Sequence, residues 1–179
     1  MRSARTIFTG LFLIFFVIAV GGGLFWANLN FVQRVPSGAD FIVPWKSMQN
    51  FMLNGVTPYG TLTALNIQTI IYKHPSLPGQ YPYYVNIPLS MLLFFLPLAW
   101  IRDLNIARAI WMIILETGLF GVVLVSLRLA RWRPHWILLI LILFFSTFWQ
   151  PSVSMLVTAT SIILQALVLC GSLRCIELG

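Results

Sequence analysis

The stretch IFTGLFLIFFVIAVGGGLFWA, residues 7–27, decides the class of protein to which this chain belongs. It carries no charged side chain over about 20 residues, the length that an α-helix needs to cross the hydrocarbon core of a bilayer. Arg2 and Arg5 precede it, and Trp26 lies near its end. A secretory signal peptide has similar flanks, but the apolar run continues beyond Gly21–Gly23. The stretch therefore predicts a retained membrane helix.

The composition of the whole chain agrees with this first segment. Of its 179 residues, 59% are apolar and 8% are charged, whereas a soluble domain carries about 25% charged residues. So little charge cannot cover a water-exposed surface, and the bilayer must be the main solvent. The net charge of +7 comes largely from arginines beside apolar runs. This arrangement is typical of cytoplasmic topology signals and favours them over nucleic-acid binding.

Four further apolar stretches follow: Tyr84–Ile101, Leu104–Leu127, Trp136–Trp149 and Met155–Leu173. We therefore expect an all-α, polytopic transmembrane protein with four or five hydrophobic segments, forming a single membrane domain over residues 1–179. The basic residues before the first segment predict a cytoplasmic N-terminus. The protein is expected to be a multi-pass protein of the cell membrane. Residues 28–82 then form the first extracytoplasmic loop.

The number of crossings stays open at this point. If the second and third stretches both span, the cluster of Arg128, Arg131 and Arg133 lies outside, against the positive-inside rule. If one of them is interfacial or re-entrant, this cluster is cytoplasmic. Pro88 and Pro97 weaken a straight helix in the second stretch.

One helix is predicted within the loop. Four apolar residues follow one another at spacings of four, three and four, so they share one helical face: Phe41, Trp45, Met48 and Met52. Asp40 suits the N-cap, and Gly55 suits the position after the last helical residue. The pattern predicts a short amphipathic helix that lies on the outer membrane surface.

Asp40 is the only acidic residue in the loop. In an external active site it could act as a general base, taking a proton from an attacking hydroxyl group. The alternative is a plain N-cap worth about 1 kcal/mol.

The sequence from residue 37 to residue 100 resembles a known pattern. Its parts are Gly38-Ala39-Asp40-Phe41, then Gly55 and Pro58-Tyr59, then Tyr81-Pro82, then Pro97-Leu98-Ala99. Together they resemble the N-terminal portion of polytopic GT-C glycosyltransferases, and in particular glycosyltransferase family 87, which includes polyprenyl-phosphate-mannose-dependent α-mannosyltransferases.

The resemblance implies a function and a catalytic residue. Asp40 matches the family's catalytic aspartate and would deprotonate the acceptor hydroxyl. The donor would be a polyprenyl-phosphate hexose, most simply mannose, and the acceptor a lipid-linked sugar or glycan on the extracytoplasmic side. No cofactor is expected, and the sequence contains no paired carboxylates or Asp-x-Asp motif that would indicate a bound divalent metal ion. Two departures stand out: Tyr81-Pro82-Tyr83 replaces the family's Tyr-Pro-Pro, and family members are longer, so the chain is expected to be the N-terminal part of a larger protein.

Four loop residues are candidates for substrate binding. Lys73 could contact the donor phosphate as a point charge, and His74 could donate a hydrogen bond or shuttle a proton. Tyr59 and Tyr81 could stack on sugars. The alternatives are solvated loop residues for the first pair and interfacial aromatic residues for the second.

Glu116 lies in the middle of the third apolar stretch. A charge at membrane depth is a functional candidate by default, and the alternative is a glutamate hydrogen-bonded to a neighbouring helix. A transporter would need further polar residues at this depth. The remaining competing hypothesis is a non-catalytic membrane protein or assembly partner, in which Asp40 only caps its helix and forms no site.

Overall fold

The computed structural model describes residues 2–35, 38–158 and 160–178, and this part of the chain is helical and contains no β-strand. The predicted all-α class is confirmed. Within these ranges, two helices are long and apolar enough to cross a membrane by length and composition, Phe8–Arg34 and Leu104–Leu129. The architecture fits an all-α membrane protein.

The first helix, α1, runs from Arg2 to Arg34 and is longer than the predicted segment. Nothing in residues 28–34 stops a helix, because the next proline in the sequence is Pro36. The end of α1 therefore takes up the first part of the predicted loop.

The predicted loop helix is present as α2, Ala39–Asn54. Gly55 follows it in the left-handed conformation, as predicted. The prediction that Asp40 is the N-cap is wrong, because Gly38 occupies that position and its carbonyl oxygen accepts bonds from the N–H groups of Phe41 and Ile42. Asp40 lies in the first turn of the helix instead.

The apolar face of α2 packs against the protein. Phe41 and Met48 are fully buried. The ring of Phe41 lies 6.0 Å from that of Phe95 and 6.2 Å from that of Trp111. The indole N–H of Trp45 donates to the carbonyl oxygen of Leu98 over 3.0 Å.

A second loop helix, α3, Thr61–Tyr72, covers the other side of α2 and was not predicted. Its Ile67 is fully buried and packs with Ile42 and Val43 of α2. The Thr63 hydroxyl accepts a bond from the amide of Asn50 over 3.4 Å and donates to the carbonyl oxygen of Thr57 over 2.8 Å.

Residues 84–101 do not form one straight helix. They contain α4 (Leu89–Leu92), a 3-10 turn (Leu93–Phe95) and α5 (Leu96–Ala99). About 11 helical residues extend only about 16 Å, which is short of the roughly 30 Å hydrocarbon core. The helical part of the second apolar stretch is therefore shorter than a membrane-spanning helix.

The long helix α6, Leu104–Leu129, packs against α1 on one side and α9, Ile162–Leu178, on the other. Its approach to α9 is close, since a Cβ atom added at Gly121 would lie 3.0 Å from Leu167. Helices α7, Trp136–Phe148, and α8, Gln150–Thr158, connect them.

Trp45→Ala tests whether α2 is anchored in the core. The change removes the buried indole and its hydrogen bond, and we expect it to lower the free energy of unfolding by about 3–5 kcal/mol. Denaturant unfolding of the detergent-solubilised protein, followed by circular dichroism, gives this value. Trp100→Ala is the matched control, since Trp100 is 62% exposed and its loss should cost within about 0.5 kcal/mol. Equal losses would show that α2 is not anchored by Trp45.

Candidate functional site

Two adjacent clefts open at the N-terminal end of α2. The larger, here the cationic cleft, has a volume of about 750 Å³ and lies between the end of α1, the starts of α2 and α6, and the end of α3. Its polar lining residues are Gln33, Asp40, Lys73, Tyr83, Arg102, Asp103, Asn105, Arg108 and Thr158.

The smaller cleft, here the tyrosine cleft, has a volume of about 380 Å³. Its polar lining residues are Asp40, Tyr81, Tyr83, Tyr84, Asn86, Thr160 and Ser161. Asp40 and Tyr83 line both clefts. A molecule bound across the two would therefore pass these two side chains.

Asp40 is exposed at the point where the two clefts meet. Its position in the first turn of α2 brings its carboxylate close to the positive end of the helix dipole, which favours negative charge there. The start of α2 has no side-chain cap, and no hydrogen bond within residues 38–158 occupies the Asp40 carboxylate. The carboxylate is thus open to a ligand in either cleft.

Three basic side chains line the cationic cleft. Lys73 and Arg102 are exposed, whereas Arg108 is buried and donates from Nη1 to the carbonyl oxygen of Val35 over 2.9 Å. Lys73 follows the last residue of α3 in a left-handed conformation (φ 67°), and its Nζ lies 3.1 Å from the carbonyl oxygen of Ile70. The loop helices and α6 together make this cleft positively charged.

A second carboxylate, that of Asp103, lines the cationic cleft. Its Oδ1 accepts a bond from the backbone N–H of Ile106 over 2.9 Å, so Asp103 is the N-cap of α6. This structural role leaves Asp40 as the carboxylate better placed to meet a ligand. Sequence reasoning, which considered residues 28–82 alone, did not bring Asp103 to the site.

Tyr83 has a backbone conformation that is unusual for a residue with a side chain. Its φ is 48°, and such left-handed residues cluster at sites where the surrounding structure holds them. Its ring lies 5.4 Å from that of Tyr72 and 5.1 Å from that of Tyr81. Burial raises the pKa of the Tyr83 phenol, and the neighbouring Tyr72 hydroxyl and Asp40 charge act in the same direction. Tyr83 therefore keeps its proton and can donate a hydrogen bond at neutral pH.

An apolar groove of about 430 Å³ lies between α4, the 3-10 turn and α9. Phe94, Leu164 and Val168 are among its apolar lining residues. Ser161 lines both this groove and the tyrosine cleft. A polar region with carboxylate and basic groups is thus adjacent to an apolar one.

The structure brings together three of the five predicted site residues. Asp40 lines both clefts, Lys73 lines the cationic cleft and Tyr81 lines the tyrosine cleft. The other two, Tyr59 and His74, line neither cleft. The Tyr59 hydroxyl donates to the carbonyl oxygen of Ile87 over 2.9 Å, and His74 stacks on the ring of Tyr72 at 6.0 Å.

Sequence reasoning missed Arg102, Arg108 and Tyr83 as site residues. The arginines were interpreted as topology signals, because such signals are also arginines next to an apolar run. The sequence alone does not distinguish them from arginines that line a site. The sequence did contain one signal for Tyr83, because the family that this chain resembles has a proline at this position.

Among the described residues, no group of three or more His, Cys, Asp or Glu side chains could hold a metal ion. No family model, curated protein sequence or solved structure matches the chain. The resemblance to glycosyltransferase family 87 therefore stays a prediction that rests on its motifs.

Gly38→Ala tests the close packing under the cationic cleft. Gly38 has φ 99°, and an added Cβ would lie 2.7 Å from Nε of Arg108. Gly55→Ala is the matched control, because its φ is 64° and its Cβ would meet no atom within 4 Å. We expect Gly55→Ala to cost about 1–2 kcal/mol from the backbone alone and Gly38→Ala to cost at least about 1 kcal/mol more. Equal losses in denaturant unfolding would contradict the contact with Arg108.

Proposed function

We propose that this chain is a membrane glycosyltransferase, or the N-terminal part of one. It transfers a hexose, mannose in the simplest case, from a polyprenyl-phosphate donor to a lipid-linked or glycan acceptor. One observation carries the proposal: Asp40 lies where the cationic cleft meets the tyrosine cleft, and the tyrosine cleft shares Ser161 with an apolar groove. Such an arrangement suits a substrate with a charged head and an apolar tail.

The proposed reaction uses Asp40 as a general base. The acceptor hydroxyl attacks the anomeric carbon of the donor sugar while its proton passes to the Asp40 carboxylate. The bond from that carbon to the phosphate oxygen breaks, and the polyprenyl phosphate leaves with the bonding electrons. The exposure of Asp40 and its place in the first turn of α2 support this role, since a general base must be within hydrogen-bond reach of the hydroxyl.

The cationic cleft suits the donor phosphate. Arg102 and Lys73 are both exposed there. A guanidinium group can bind two phosphate oxygens at once, and an ammonium group supplies a compact charge. These charges would stabilise the leaving phosphate as negative charge develops on it.

The tyrosine cleft suits the sugars, because phenol rings offer flat faces and hydroxyl groups that hydrogen-bond. The apolar groove suits the first isoprene units of the donor. Its position between α4 and α9 would let the lipid tail enter from the bilayer while the head group reaches Asp40.

The proposal includes a membrane topology, with the N-terminus in the cytoplasm and a multi-pass protein in the cell membrane. With the helical part of residues 84–101 too short to span, α1 and α6 are consecutive crossings. Arg2, Arg5 and the cluster that begins at Arg128 then share the cytoplasmic side, as the positive-inside rule requires. Asp40 and both clefts lie on the extracytoplasmic side.

Asp40→Asn tests the general base. The change removes the proton acceptor with little change of shape, and we expect sugar transfer to fall by about 10²–10⁴-fold. The measurement is transfer of radiolabelled mannose from polyprenyl-phosphate mannose in vesicles that contain the protein.

Asp103→Asn is the comparison in the same experiment, because it removes the same charge from the same cleft and asparagine still caps a helix. Transfer that survives in Asp40→Asn and is lost in Asp103→Asn would assign the base to Asp103. Transfer that survives in both would sink the general-base role, whereas absence of transfer by the unaltered protein would favour a non-catalytic assembly partner.

Arg102→Gln tests the phosphate site. Loss of a charged contact should raise the KM for the donor by about tenfold, which corresponds to about 1.4 kcal/mol, and a similar change is expected for Lys73→Gln. Lys46→Gln is the matched control, since Lys46 lies on α2, bonds Gln49 over 2.7 Å and lines neither cleft. A KM that rises equally in all three variants would indicate a general effect of net charge.

A further inference from the structure

Glu116 lies near the midpoint of α6, about 12 Å along the helix axis from Arg108 of the cationic cleft. At 1.5 Å per residue it is about 18 Å from Leu104 and about 20 Å from Leu129. A membrane-spanning α6 therefore holds a carboxyl group at hydrocarbon depth. Groups of this kind are costly there, and they mark functional sites unless another group satisfies them.

One partner of this carboxyl group comes from α1. The amide Nδ2 of Asn28 donates to Oε2 of Glu116 over 3.1 Å, and Asn28 is buried at 6% exposure. This bond accounts for one carboxyl oxygen. The second oxygen belongs to a side chain that is only partly buried.

Glu116 and Asn28 line a cavity of about 430 Å³ between α1, α6, α7 and α8. The lining is otherwise apolar apart from Thr147, and it includes Phe31, Phe120 and Phe148. The Thr147 hydroxyl donates to the carbonyl oxygen of Leu143 over 2.9 Å, so its oxygen can still accept a hydrogen bond. A mostly apolar cavity with a few converging polar groups is the usual form of a small-ligand site.

The volume decides what size of molecule fits. The cavity volume of about 430 Å³ lies within the range of about 300–1,000 Å³ that small-molecule pockets occupy.

We propose that this cavity binds a small membrane-dissolved alcohol, a molecule with an apolar chain and one hydroxyl group. The hydroxyl donates to a Glu116 oxygen, which stays available as an acceptor whatever the protonation state of the carboxyl group. The chain packs against the phenylalanine rings. This site is separate from the clefts around Asp40, and the proposal does not rest on the proposed function.

The test uses a radiolabelled long-chain primary alcohol that carries a photoreactive diazirine in its chain. The matched probe is its methyl ether, which has the same chain but no hydrogen-bond donor. With the protein in lipid nanodiscs, we expect the alcohol to label the α1, α6 and α7 peptides that line the cavity. It should do so about tenfold more strongly than the ether, the preference that one hydrogen bond gives. Unlabelled dodecanol should compete with the labelling.

Two variants of Glu116 test whether the preference for the alcohol over the ether depends on this side chain. Glu116→Leu should remove it, whereas Glu116→Gln keeps an acceptor oxygen and should keep most of it. Thr117→Val is the control, because Thr117 is the exposed neighbour of Glu116 and is not among the lining residues. Equal labelling by the alcohol and the ether in the unaltered protein would overturn the proposal, as would a preference that survives in folded Glu116→Leu. Absence of labelling by both probes would overturn it too, and would leave the Asn28–Glu116 bond as a contact between helices.

Discussion

The arrangement of this protein depends on the contact between three aromatic rings, those of Phe41, Phe95 and Trp111. Their centroids lie 4.4–6.2 Å apart, and each ring comes from a different element. Phe41 belongs to α2, Phe95 to the 3-10 turn and Trp111 to α6. Because aromatic rings bury large areas, this cluster joins the loop helix α2 to the long helix α6. The clefts around Asp40 exist because α2 is held at this position.

The arginines of the chain divide into two groups once the fold is known. Arg128 lies in the last turn of α6, and Arg131 and Arg133 follow that helix. None of the three lines a cleft described above, and the proposed topology gives them a role as cytoplasmic signals. Arg102 and Arg108 lie at the opposite end of the same helix, in the cationic cleft. Arg108 is buried and bonds the backbone at Val35, so it also fixes the end of α1 against α6. The positive charge at that end of α6 therefore lines the cationic cleft.

How well the sequence predicted each element depended on the range of the interactions that form it. The helix α2 was predicted because its apolar spacing is local, but its first residue depends on Gly38 packing against Arg108, which is distant in sequence. The helix α3 was missed because TLTALNIQTIIY is rich in β-branched residues with modest helix propensity, and contacts with α2 stabilise it. Residues 84–101 were doubtful as a span because of their prolines, and the prolines do break that segment.

Tyr83 shows why a small departure from a family motif matters physically. The resembling family has proline here, and proline fixes φ near −65°, whereas Tyr83 has φ 48°. The two residues cannot share one backbone path, so the chain after Pro82 must run differently from a Tyr-Pro-Pro segment. That path turns a protonated phenol toward the junction of the clefts, where it lines both together with Asp40. The strain of a left-handed tyrosine, about 1–3 kcal/mol, is offset by its ring contacts with Tyr72 and Tyr81.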